Sequence, residues 1–99
     1  MSTLARRPSG NVFRDLGFNP DEAQHLKIRA DLMIELTKLI RARGLTQARA
    51  ARLFGVSQPR ISDLVRGKCN RFSVDSLIEM LGHGGARVSV RVTSRKRVA

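Results

Sequence analysis

Apolar positions along the chain fall into three regimes. From Leu26 to Ile40 they recur at three- and four-residue spacing (Leu26, Ala30, Met33, Leu36, Ile40), as the buried stripe of an amphipathic helix does, and Leu32 and Leu39 widen that stripe. From Leu45 to Leu64 the apolar groups are short and broken by Gly55 and Ser57. From Arg87 to Thr93 apolar and polar residues alternate strictly, which puts Val88, Val90 and Val92 on one face of a strand.

Capping residues divide these regimes into elements. Asn19-Pro20-Asp21-Glu22 is a helix start: Asn19 can accept from free backbone N–H groups, Pro20 has no N–H to orphan, and two acids suit the positive end of the helix dipole. This helix should run to about Arg43, with Gly44 as its stop, a length of about 36 Å. A break near Asp31 into two helices remains open. Thr46 should cap a short helix through Phe54, ended by Gly55. Ser57 should cap a second, with Pro59 in its first turn, running to Val65 or Arg66 and stopped by Gly67. Ser73 should cap a fourth helix, Val74 to about Leu81, with Leu77, Ile78 and Leu81 inward, and Gly82-His83-Gly84-Gly85 reads as a flexible link. Residues 1–18 read as a flexible arm, 19–86 as the folded domain, 87–93 as the strand and 94–99 as a basic tail.

Two short helices joined by about three residues form a helix-turn-helix. The pair makes spacing demands that can be checked. Close approach of the helices wants a small residue in the middle of the first, and Ala51 supplies it. The turn wants a residue tolerant of positive φ, and Gly55 follows four positions later. The second helix wants a buried branched residue six positions beyond, and Ile61 stands there, while Ala50, Phe54, Val56 and Leu64 fill the remaining inward positions.

Charge sharpens this reading. The 99 residues carry 19 Lys and Arg against 8 Asp and Glu, a net +11, which calls for a polyanionic partner. The excess is concentrated: residues 45–72 carry +5 and residues 87–99 another +5. Tyr and Trp are absent and there are 4 Phe, too few for a single-stranded RNA reader that stacks bases on rings. No apolar run approaches the roughly 18 residues of a membrane span, no signal sequence opens the chain, and a single cysteine makes no internal disulfide, so the reading is a cytoplasmic protein acting at the nucleoid. His25 and His83 have no companions at metal-ligand spacing. No Gly-rich phosphate loop and no nucleophile–base pair stands out, so no catalytic, cofactor or metal residue is expected, and Cys69 reads as an ordinary loop thiol.

The run Leu45-Thr46-Gln47-Ala48, Ala51, Leu53-Phe54-Gly55-Val56-Ser57-Gln58-Pro59-Arg60-Ile61-Ser62-Asp63-Leu64 and Gly67-Lys68 resembles the lambda-repressor-like (Cro/C1, or XRE-type) DNA-binding motif. A wider pattern adds Ser9-Gly10-Asn11-Val12-Phe13, Asp15-Leu16-Gly17-Phe18, the long first helix, Phe72-Ser73-Val74-Asp75-Ser76-Leu77 and the Val-rich strand. It resembles HigA-like antitoxins, XRE-family regulators encoded beside a RelE/HigB-type ribonuclease toxin. The resemblance spans about residues 9–93. It implies a mainly α fold: a lambda repressor-like domain of four helices with a long first helix, here followed by one C-terminal β-strand. Lambda-type repressors have a fifth helix at that point, so their dimer interface is not carried over. A lone strand leaves its backbone groups unpaired, so the strand, with Val88, Val90 and Val92, is expected to pair across a homodimer.

In this docking mode the N-terminal side chains of the second helix reach base edges in the major groove. Gln58 and Arg60 are the best base readers, through adenine N6/N7 and guanine O6/N7. Pro59 can touch a thymine methyl, and Asp63 can accept from cytosine or orient Arg60 or Arg66. Candidate phosphate contacts are Thr46, Gln47, Ser57, Ser62, Arg66, Lys68, Asn70 and Arg71, with Gln47 in that role by the family resemblance. The function expected is a sequence-specific repressor that binds a near-palindromic operator in double-stranded DNA, an antitoxin that binds its toxin through residues 1–18 or the first helix. The alternatives are a stand-alone XRE-family regulator and, from another class, a small basic RNA-cleaving toxin. Absence of Tyr and of a clustered acid/base set argues against the last.

Overall fold

The described residues form four α-helices and one 3-10 turn. The computed structural model describes Gly17 and residues 19–94. The elements are α1 (Pro20–Ala42), α2 (Gln47–Phe54), α3 (Gln58–Val65), the 3-10 turn Cys69–Arg71, and α4 (Val74–His83). The expectations placed on residues 1–16 and 18 and on 95–99, including most of the arm and most of the tail, lie outside the described residues.

Each helix starts where a short polar side chain can serve its first turn. The Asn19 side-chain oxygen accepts from the Glu22 N–H at 2.9 Å. Thr46 accepts from Arg49 N–H at 3.1 Å and Ser57 from Arg60 N–H at 3.4 Å. Ser73 and Ser76 cap reciprocally: each hydroxyl accepts from the other's backbone N–H, at 3.1 and 3.2 Å. Such caps are worth about 1 kcal/mol each. Helix α1 is continuous over its 23 residues, so there is no break at Asp31, and it ends at Ala42, with Arg43 as its cap.

The core is a single cluster. It takes Met33, Leu36 and Ile40 from α1, Ala50, Ala51 and Phe54 from α2, Ile61 and Leu64 from α3, Phe72, and Leu77, Met80 and Leu81 from α4. Phe54, Leu36, Ile61, Leu64 and Leu77 are its largest fully buried side chains. Burial of each large side chain stabilises by roughly 1.5–3 kcal/mol. Helix α1 packs against α4, and α2 against both α3 and α4.

Three expectations need correction. On α4, Met80 is buried and Ile78 is 37% exposed, because the helix face that meets α1 and α2 runs through positions 77, 80 and 81. Gly82 and His83 belong to α4, and Gly84 is its buried cap rather than part of a flexible link. The stretch expected as a strand, 87–93, has no strand pairing among the described residues. The described residues offer no neighbouring strand to complete a ladder. The valines of this stretch differ in burial: Val88 packs partly buried against the core, whereas Val90 and Val92 are 78% and 89% exposed.

Candidate nucleic-acid interface

Helices α2 and α3 form the helix-turn-helix, and the turn between them is Gly55-Val56-Ser57. Gly55 adopts φ 71°, in the left-handed region that an L side chain enters at a cost, and the Val56 N–H reaches back to the Ala51 carbonyl at 3.0 Å. Ala51 is 8% exposed and Ala50 is fully buried, so the two helices approach over methyl groups. Ile61 and Leu64 anchor α3 from below and turn the opposite face of its first turn outward.

On that outward face Gln58 and Pro59 are exposed, at the first two positions of α3. Arg60, next along, is partly buried. Its guanidinium carbon lies 4.4 Å from the centroid of the Phe72 ring, and its Nη1 donates to the Arg71 carbonyl at 2.6 Å. Thr46 and Gln47 are exposed at the start of α2, where the unpaired first-turn N–H groups can meet a phosphate. Ser57 is exposed and already engaged as a cap, while Ser62 is half-buried.

The segment after α3 is held from two sides. From α1, Arg29 Nη1 donates to the carbonyls of Cys69 and Phe72 at 3.4 and 3.3 Å. From α3, Asp63 stands 3.9 Å from Lys68 Nζ and 3.7 Å from Arg71 Nη1. Asp63 therefore faces Lys68 and Arg71, not Arg60 or Arg66. Arg66, Asn70 and Arg71 are exposed and Lys68 is half-buried, so cations run from the end of α3, at Arg66, to Arg71, whose carbonyl meets Arg60 of the first turn. Each exposed guanidinium or ammonium there can meet a backbone phosphate.

Two contributors were not foreseen from sequence. Arg29 sits 40 residues before Cys69, and no local pattern links them. Phe72 enters the sequence reading only through the wider family pattern, yet its ring carries a cation on one face.

Among the described residues no helix is long and apolar enough to cross a membrane. A family profile described as a helix-turn-helix domain matches residues 12–93. A solved structure described as an XRE-family transcriptional regulator shares the fold with a TM-score of 0.70 and 31% sequence identity, covering 79% of this chain and 90% of that one. No curated protein matches the chain. With the paired helices, their glycine turn and the outward Gln58 and Pro59 in place, the chain belongs to the XRE family of helix-turn-helix DNA-binding regulators.

Proposed function

We propose that the protein is a homodimeric transcriptional repressor of its own operon and the antitoxin of a toxin–antitoxin pair. It reads a near-palindromic operator in double-stranded DNA and binds a RelE/HigB-type toxin encoded beside it. The observation that carries the DNA half is the exposure of Gln58 and Pro59 at the start of α3, with Arg71 of the cationic loop tied to the same turn by the Arg60 Nη1 hydrogen bond to its carbonyl. Side chains of the first kind can reach base edges, and those of the second can grip the flanking phosphates.

In this reading Gln58 and Arg60 select bases, Pro59 offers apolar contact to a thymine methyl, and Asp63 holds Lys68 and Arg71. Thr46, Gln47, Ser57, Ser62, Arg66, Lys68, Asn70 and Arg71 fix the register on the backbone. No chemical step is part of this function, and no cofactor is called for. The protein works in the cytoplasm, on the nucleoid.

Exposed Val90 and Val92 support pairing with a second copy, as does the groove beside them lined by Leu32, Leu39, Leu81 and Val88. Two copies double the net +11 to +22, so affinity should fall steeply with salt. Toxin binding is assigned to residues 1–18 or to α1, where Ile28 and Ile34 are 39% and 52% exposed.

A stand-alone regulator would use the same DNA-binding geometry. Footprinting of the DNA upstream of the gene, with and without the neighbouring gene product, separates the two. Protection of a symmetric site that changes when the product is added supports the antitoxin. Protection indifferent to the product leaves the stand-alone regulator, and no protection upstream contradicts autoregulation.

A further inference from the structure

Arg60 is the third residue of α3, and what holds its side chain has a consequence for specificity. A free arginine samples many rotamers, and a base contact must select one of them. In this chain the selection is built into the fold. The guanidinium carbon stands 4.4 Å from the centroid of the Phe72 ring, and Nη1 donates to the Arg71 carbonyl at 2.6 Å. The ring is itself fixed: Phe72 is 3% exposed and packed in the core, and its carbonyl accepts from Arg29 of α1 at 3.3 Å. A guanidinium has five N–H donors in a rigid plane. With Nη1 turned to Arg71, the Nε–Nη2 edge keeps the fork spacing that matches O6 and N7 of guanine.

We propose that Phe72 is a positioning residue for sequence readout: its ring and the Arg71 carbonyl hold Arg60 so that its Nε–Nη2 edge is presented to a guanine in the major groove. Phe72 touches no base. It acts through the arginine that lies on it. The proposal rests on the reading of α3 as the base-reading helix. Leucine at position 72 would keep an apolar side chain in the core but remove the negative face of the ring on which the cation rests.

The test uses the full-length chain. Binding sites are selected with the wild-type protein from random duplexes, and competition is then measured with duplexes altered one position at a time. Phe72→Leu should lower the preference at one guanine roughly two- to fivefold and leave the other positions and the salt slope unchanged. Arg60→Lys should lower the same preference roughly tenfold or more. In the double variant the two losses should not add, because they act on one contact.

Equal losses at every position, or on specific and random DNA alike, would show a structural or phosphate role and overturn the proposal, as would an unchanged Phe72→Leu preference. A wild-type protein with no preference at any position would overturn the base-reading role of α3 itself, and that result appears before any variant is made. If Phe72→Leu does not fold, the proton spectrum of the free wild-type chain decides. Arg60 side-chain resonances shifted upfield by the ring are expected, and random-coil positions would overturn the proposal.

Discussion

Gly84 lies against the edge of the Phe54 ring: a Cβ at position 84 would stand 2.6 Å from Cε1 and 3.2 Å from Cδ1. Its φ is −81°, open to any residue, so glycine is needed there for space and not for backbone freedom. Phe54 ends α2 and is 1% exposed, so its ring has no room to yield. The Gly84 carbonyl also accepts from Arg43 Nη2 at 2.9 Å, which ties the end of α1 to the same point.

Gly84→Ala should therefore destabilise the domain by about 1–3 kcal/mol, the usual cost of overpacking a filled core. In a domain of this size that is a fall in Tm of roughly 4–8 °C per kcal/mol. Gly82, two residues earlier and inside α4, has open space around it. Gly82→Ala should be neutral or stabilise by up to about 1 kcal/mol. Thermal melting of the two variants checks the pair: equal Tm values would contradict the packing.

Asp63, its side chain 19% exposed, faces half-buried Lys68 and exposed Arg71 across 3.9 and 3.7 Å. Ion pairs this long, with cations that still reach solvent, contribute about 0–1 kcal/mol, so Asp63→Asn should melt close to wild type. It should nonetheless release two cations toward phosphate. Affinity for random duplex DNA should rise, and the slope of log affinity against log salt should steepen by about 1. A titration over a salt series reads this directly, and weaker binding to random DNA would assign Asp63 to a DNA contact of its own.

Much of the helical frame is legible in the sequence because capping is local chemistry. Asn19, Thr46, Ser57 and Ser73 each start a helix where a short polar side chain meets free N–H groups. The turn was legible at Gly55 for the same reason. What was not legible depends on contacts distant in sequence. Two adjacent glycines at 84 and 85 read locally as a link, and only the Phe54 ring, 30 residues away, makes Gly84 a packing residue. The face of α4 was misjudged between Ile78 and Met80 because three- and four-residue spacings fit both. At the start of α3, Gln58 and Pro59 stand outward as residues at that position should. The Arg60–Phe72 stack joins residues 12 positions apart across a loop, and no periodicity encodes it.

Alternation at Val88, Val90 and Val92 is a strand pattern with no partner strand among the described residues. Removal of residues 87–99 should weaken self-association and operator affinity together, because a dimer engages two half-sites at once. Sedimentation of the truncated and full-length chains checks the first effect and operator titration the second. A truncated chain that remains dimeric would remove this segment from the interface.

Base reading by α3 in both copies of the proposed homodimer leaves a signature in the DNA it selects. Selection of binding sites from random duplexes by the purified full-length protein tests it most directly, with Gln58→Ala run in parallel. Two inverted half-sites about one helical turn apart, roughly 10 bp centre to centre, are expected. Gln58→Ala should cost about 1–3 kcal/mol on the selected site and little on random DNA. Enrichment of no sequence at all, or a Gln58→Ala loss that is the same on both DNAs, would contradict it.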